Sequence, residues 1–150
     1  MAVLSDDHPG FSVDGETPFL SLPLRQATVG AEIYYRGGLT WDSATGIIVT
    51  GSGDAAIFRG VVKERTNTVA ANDRVQCYIY GHFKFNCANL TIANEGAFFR
   101  GTTADQDNPS TMVITAPGAG VNGLVGMLTT AEVSATDGWV LVNAYLRDGV

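Results

Sequence analysis

Positive charge is scarce in this chain: nine Lys and Arg stand against fifteen Asp and Glu, for a net charge of −6. A nucleic-acid surface needs clustered cations to displace counterions, so no nucleic-acid partner is expected. Histidines number two, His8 and His82, and no GxSxG elbow accompanies them, which argues against a Ser-His-acid triad. Cysteines also number two, too few for a disulfide scaffold. At 150 residues a single domain buries roughly two thirds of its unfolded surface and needs no such staple. Long apolar runs are missing, and nothing approaches the ~18–20 residues of a membrane helix, so no membrane partner is expected. No glycine-rich loop ends in Gly-Lys-Ser/Thr. "DQDNPS" (105–110) begins like a calcium loop but has Ser110 and Ala116 where the glycine and glutamate belong. The expectation is a protein with no cofactor and no metal that is not an enzyme.

Glycine is abundant, at 18, and 45% of residues are hydrophobic, a turn-rich globular profile. The first 27 residues differ from the rest. They hold three of the five prolines, Pro9, Pro18 and Pro23, and four acids, Asp6, Asp7, Asp14 and Glu16. This acidic start does not read as a secretory signal. Its apolar residues, Phe11, Phe19, Leu20, Leu22 and Leu24, follow no sustained period. The segment reads as an extended arm lying on something, or else as a disordered tail.

From residue 28 on, Val, Ile, Thr, Tyr and Phe run between Gly, Asn, Asp and Ser punctuation, which predicts an all-β domain over 28–150. Strands are expected at 31–36, 46–50, 55–63, 73–87, 96–101, 111–115, 123–130 and 138–146, with "KERTNTVAAND" (63–73) as loop. Residues 28–80 and 91–145 also match each other. "YYRGG" (34–38) meets "FFRGT" (98–102), "IIVTGSGD" (47–54) meets "MVITAPGAG" (112–120), and "FRGVV" (58–62) meets "LVGML" (124–128). "ANDRVQCYIY" (71–80) meets "ATDGWVLVNAY" (135–145). Two similar units of ~60 residues that cannot bury their apolar faces alone should close on each other as a compact barrel or sandwich. Arg36 and Arg100 fall at one repeated position in this register, which favours architecture over an anion site as the reason for the recurrent Arg-Gly pairs.

"DRVQCYIYGHFKFNC" (73–87) alternates without a break. It reads as one long strand bent at Gly81. Val75, Cys77, Ile79, Phe83, Phe85 and Cys87 form the core face. The two cysteines then lie up to about 33 Å apart, beyond the roughly 7 Å Cα limit of a disulfide, as buried free thiols; a chain folded back at Gly81 would instead allow a bridge. The other face carries Arg74, Gln76, Tyr78, Tyr80, His82 and Lys84. It is either a solvated face or a subunit interface, since Tyr and Arg are enriched at interfaces.

"AIFRGVVKE", "VQCYIYGHFKF", "NEGAFFRG" and "GLVGML…DGWVLVNAYL" after an acidic arm resemble the decoration, or cement, proteins of tailed-phage heads, of the lambda head-decorating type. The resemblance covers roughly residues 28–146. The chain is longer than that type, and an internal duplication is unusual for it. The resemblance implies a β-tulip-like core, a homotrimer, a virion position on the capsid exterior after synthesis in the host cytoplasm, and the major capsid protein as partner. The capsid-binding arm would use Phe11, Pro18, Phe19, Leu20, Leu22 and Leu24. A carbohydrate- or receptor-binding module using Tyr78, Tyr80 and His82, and a tail or connector subunit, are the competing expectations.

Overall fold

The computed structural model describes residues 4–16, 19–27, 30–43, 45–49, 57–70, 72–102, 107–115, 123–132 and 136–144. Among them the chain is β throughout, with two 3-10 turns (Ile92–Asn94 and Pro109–Thr111) and no α-helix. The strands are β1 (Ser12–Val13), β2 (Leu20–Arg25), β3 (Glu32–Tyr34), β4 (Leu39–Ser43), β5 (Gly46–Ile48) and β6 (Phe58–Val62). They continue as β7 (Thr66–Thr68), β8 (Arg74–Asn86), β9 (Phe98–Arg100), β10 (Val113–Thr115), β11 (Leu124–Ala131) and β12 (Asp137–Asn143). Ten strands share one sheet that curls into a half-barrel, and β3 pairs with β7 separately. The expected all-β architecture is therefore observed.

The main sheet runs β10–β9–β11–β12–β8–β6–β4–β5. Read outward from its middle it gives 12-11-9-10 on one side and 8-6-4-5 on the other, so two halves of like order meet at the antiparallel β8–β12 pair. "FRGVV" and "LVGML" occupy matching places: Val61 and Val62 pair with Tyr78 and Cys77, and Met127 and Leu128 with Leu141 and Val140. The Arg36–Arg100 match is corrected. Tyr34 ends β3 in the small sheet, whereas Phe98–Arg100 lies in the main sheet, where β4 is its counterpart by order. The intervening strand, "LTWDS", was hidden by the glycines before it and by its own Asp42 and Ser43. β7 likewise lies inside the segment expected to be loop.

β8 is one strand of 13 residues, as its alternation indicates. Gly81 has φ 150, and an added Cβ there would sit 2.7 Å from the Phe83 ring and 2.8 Å from the Phe19 Cβ. Its faces differ from the simple two-sided picture. Val75 and Cys77 join Tyr34, Ile47 and Val62 in a smaller core, while Tyr78, Ile79, Phe83 and Phe85 belong to the larger one. The strand is thus buried on both faces at Cys77–Ile79. Both cysteines are free and buried. Burial pushes the Cys77 thiol up to about 12 and raises Cys87 as well, because a thiolate there would lose its water.

The N-terminal arm is extended, but it lies on its own body. β1 pairs with β8 at Lys84 and Phe83, and β2 pairs with β8 from Tyr80 to Arg74. Phe11 is 5% exposed and packs on Phe83 (ring centroids 5.7 Å) and Phe85 (5.5 Å). The Arg36 guanidinium covers the Phe11 ring at 4.7 Å and donates to the Phe11 carbonyl. Gly37 (φ 80) leaves room for this hook, since a Cβ there would meet Phe11 Cβ at 2.8 Å and His8 Cβ at 2.9 Å. Arg65 pairs with Asp6 and Asp7, and the Leu4 N–H donates to the Asp107 carboxylate. "DQDNPS" is, in its described part, a structural turn: the Asn108 side chain accepts from the Ser110 N–H.

Phe11→Ala is expected to destabilise the fold by about 3–5 kcal/mol, the range for emptying a buried aromatic site, whereas Phe19→Ala, at 46% exposure, should cost well under half of that; urea denaturation followed by tryptophan fluorescence compares them. Both thiols should resist a water-soluble disulfide reagent in the native protein and react together on unfolding. Rapid native labelling of either would contradict their placement.

Candidate interaction surface

Proline and the acids obscure a period in "LSLPLR". Its leucines alternate, and β2 is a strand for that reason. Once β2 is laid against β8, its side chains divide. Leu24 packs against the smaller core. Leu20 (50% exposed), Leu22 (39%) and Phe19 (46%) remain exposed; a bulge between Leu20 and Ser21 sets Leu20 opposite Tyr80, while Leu22, opposite Cys77, stays on the face of Leu24. Leu20 is the register partner of Tyr80, itself 39% exposed, and Phe19 meets Tyr78 edge-on with centroids 5.2 Å apart. The result is an exposed apolar strip that spans both faces of a strand whose ladder among the described residues is with β8 alone, apart from a single bridge from Gln26 to Ile47. Pro23 removes one donor from β2, a feature tolerated on edge strands.

The arm residues expected to contact a partner therefore separate. Phe19, Leu20 and Leu22 are available. Phe11 and Leu24 are not free anchors, because their burial stabilises the protein's own cores. Pro18 lies outside the described residues.

The six residues expected to share one face of β8 are likewise dispersed. Tyr78 is 6% exposed, covered by Phe11, Phe19 and Phe83. The Gln76 amide donates to Ser21 Oγ at 2.9 Å. Lys84 pairs with Glu132 at 3.3 Å. Arg74 and Tyr80 remain exposed. Docking of the arm on this same strand consumed the surface, and parity along β8 alone carries no sign of that.

Both histidines tie the arm to the body. His82 Nδ1 lies 3.1 Å from an Asp14 carboxylate oxygen and its Nε2 lies 2.5 Å from Thr129 Oγ1. The Thr129 hydroxyl donates to the Trp139 carbonyl. This constellation joins β8, β11 and the turn after β1; it is a clamp on hydrogen-bonding partners. His8 is 4% exposed, and its Nε2 accepts the Asn86 backbone N–H at 3.2 Å. Burial lowers its pKa to about 4, against a smaller opposing pull from Asp137. No group of three or more potential metal-ligating side chains converges among the described residues.

The sign of the His8 effect follows from its lowered value. The unfolded chain takes up the proton near 6.5, so the stability associated with a neutral buried His8 is present above that pH and is lost as pH falls from 6.5 towards 4. The slope approaches ~1.4 kcal/mol per pH unit, an upper bound for one group. Urea denaturation at pH 7.5 and 4.5 should show this loss in the native sequence and a smaller one in His8→Gln; equal losses would remove His8 as the cause. Comparison with protein-family models, with curated proteins and with solved structures finds no match for the chain, which leaves the exposed β2 strip as the feature from which a function is argued.

Proposed function

We propose that this is a non-enzymatic structural protein of a phage head exterior, which docks on the major capsid protein through the β2 strip and stabilises the shell by bridging capsid subunits as a homotrimer. One observation carries the reading: Phe19, Leu20, Leu22 and Tyr80 are exposed together on and beside an edge strand. Soluble domains avoid such an arrangement unless something covers it. A neighbour's strand edge or apolar groove is the matching occupant, with side chains supplying the contact where Pro23 interrupts the ladder. The sequence resemblance to head-decorating proteins supports the same reading, and a net charge of −6 suits a surface kept away from packaged DNA. For the sugar-binding alternative, Tyr78 is buried and His82 is clamped, which leaves Tyr80 of the three residues it would use.

The test is co-sedimentation of purified protein with expanded heads that lack their decoration. Native protein should bind saturably. Leu20→Glu/Leu22→Glu, two substitutions at exposed positions, should keep the native circular dichroism and bind at least ~10-fold more weakly, since burying one unpaired charge costs more than 1.4 kcal/mol. Undiminished binding of the double variant would overturn the role of the strip. Light scattering on the free protein reads the trimer directly.

A further inference from the structure

Three of the nine cationic residues meet in one place, although the chain as a whole is acidic. A cavity of about 400 Å³ is lined by Arg25 of β2, Arg59 of β6 and Arg74 of β8, with Asp42 and Ser43 of β4 and Gly46 of β5. Three guanidinium groups and one carboxylate leave a local charge of +2 inside a protein of net charge −6. Such concentration against the overall balance sets up a local positive potential that favours an anion.

The register sharpens the point. Arg25 and Arg74 are direct partners across the β2–β8 ladder, and like charges directly opposite one another destabilise a sheet. Neither side chain has an ion pair among the described residues. Among the described residues the Arg25 guanidinium reaches only the Asn72 side-chain oxygen, at 3.4 Å, and the Arg74 guanidinium makes no ion pair or hydrogen bond. Arg59 is held by Asp42 at 2.8 Å, which fixes its fork while using one of five N–H donors.

We infer that this cavity is a binding site for a small ligand carrying a doubly charged oxyanionic group, either a phosphoryl group or a pair of carboxylates. Planar forks bind such oxygens two at a time, the ligand's charge offsets the local excess, and its presence between Arg25 and Arg74 removes their repulsion. The volume falls within the range of small-molecule sites, ~300–1,000 Å³. This site is independent of the capsid-docking reading, because the adhesive strip ends at Leu22 and uses none of the arginines.

The experiment titrates the full-length protein at pH 7 and constant ionic strength, exchanging chloride for inorganic phosphate in one arm and for malonate in the other, with binding read by calorimetry and by NMR of the arginine side-chain N–H groups. Saturable binding of either anion is expected, and the arm that binds more tightly identifies the ligand chemistry. Arg74→Gln and Arg25→Gln should each weaken it at least ~10-fold, the loss expected for a charge-assisted fork; Lys63→Gln, outside the cavity, should not. In chloride alone Arg74→Gln should melt at the same temperature as the native protein or higher, and in the binding anion the order should reverse. Binding no tighter than chloride at matched ionic strength, or undiminished binding by Arg74→Gln, would overturn the site.

Discussion

A strand buried at its centre has to satisfy its backbone on two edges and its side chains on two faces, and β8 meets both demands with help from the other end of the chain. Cys77 and Tyr78 pair with β2 on one side and β6 on the other, and Phe83 and Lys84 with β12 and β1. Where Val75 and Cys77 look into one core, Tyr78 looks into the other. The half-barrel, the buried Cys77 thiol and the position of the arm all fit the need to keep the middle of this strand buried and its backbone bonded. Unpaired buried N–H and C=O groups each cost on the order of a lost hydrogen bond, so the arm is a structural member and not an appendage.

That dual use of the arm gives the proposed adhesive role its geometry. Phe11 and Leu24 pack against the protein's own cores, while Phe19, Leu20 and Leu22 remain exposed at the strand. A flexible tether would have to lose conformational freedom on docking. Here the ordering has been accomplished by folding, and a partner meets a preformed strip.

What could be read from the sequence depended on whether one signal or several shared a segment. β8 was legible because its alternation is uninterrupted through Gly81, and the free cysteines followed from that geometry. β2 carried an equally regular leucine alternation, but Pro18, Pro23 and the surrounding acids outweighed it. β4 could not be seen, because Gly37, Gly38, Asp42 and Ser43 read as punctuation around Thr40 and Trp41. The arginine cavity was invisible for a different reason. Arg25, Arg59 and Arg74 share no motif and come together only through the pairing of β2, β6 and β8. The recurrent Arg-Gly pairs, read from the sequence as architecture and not as an anion site, lie apart: Arg36 covers Phe11, Arg59 pairs with Asp42 and the Arg100 guanidinium donates to the carbonyl of Gly101.

The pairing of the arm with β8 also sets an order of events during synthesis. His8 and its hydrogen-bond partner Asn86 stand 78 residues apart. At roughly 5–20 residues per second the leading segment emerges about 4–16 s before its counterpart exists. Throughout that interval Phe11, Phe19 and three leucines lack the β8 surface on which they pack in the folded chain, and neighbouring nascent chains on one message carry the same residues. Pro9, Pro18 and Pro23 interrupt the segment at intervals that prevent a continuous intermolecular ladder. The prolines that obscured β2 in the sequence thus protect the chain at the one stage when its first strand has no partner.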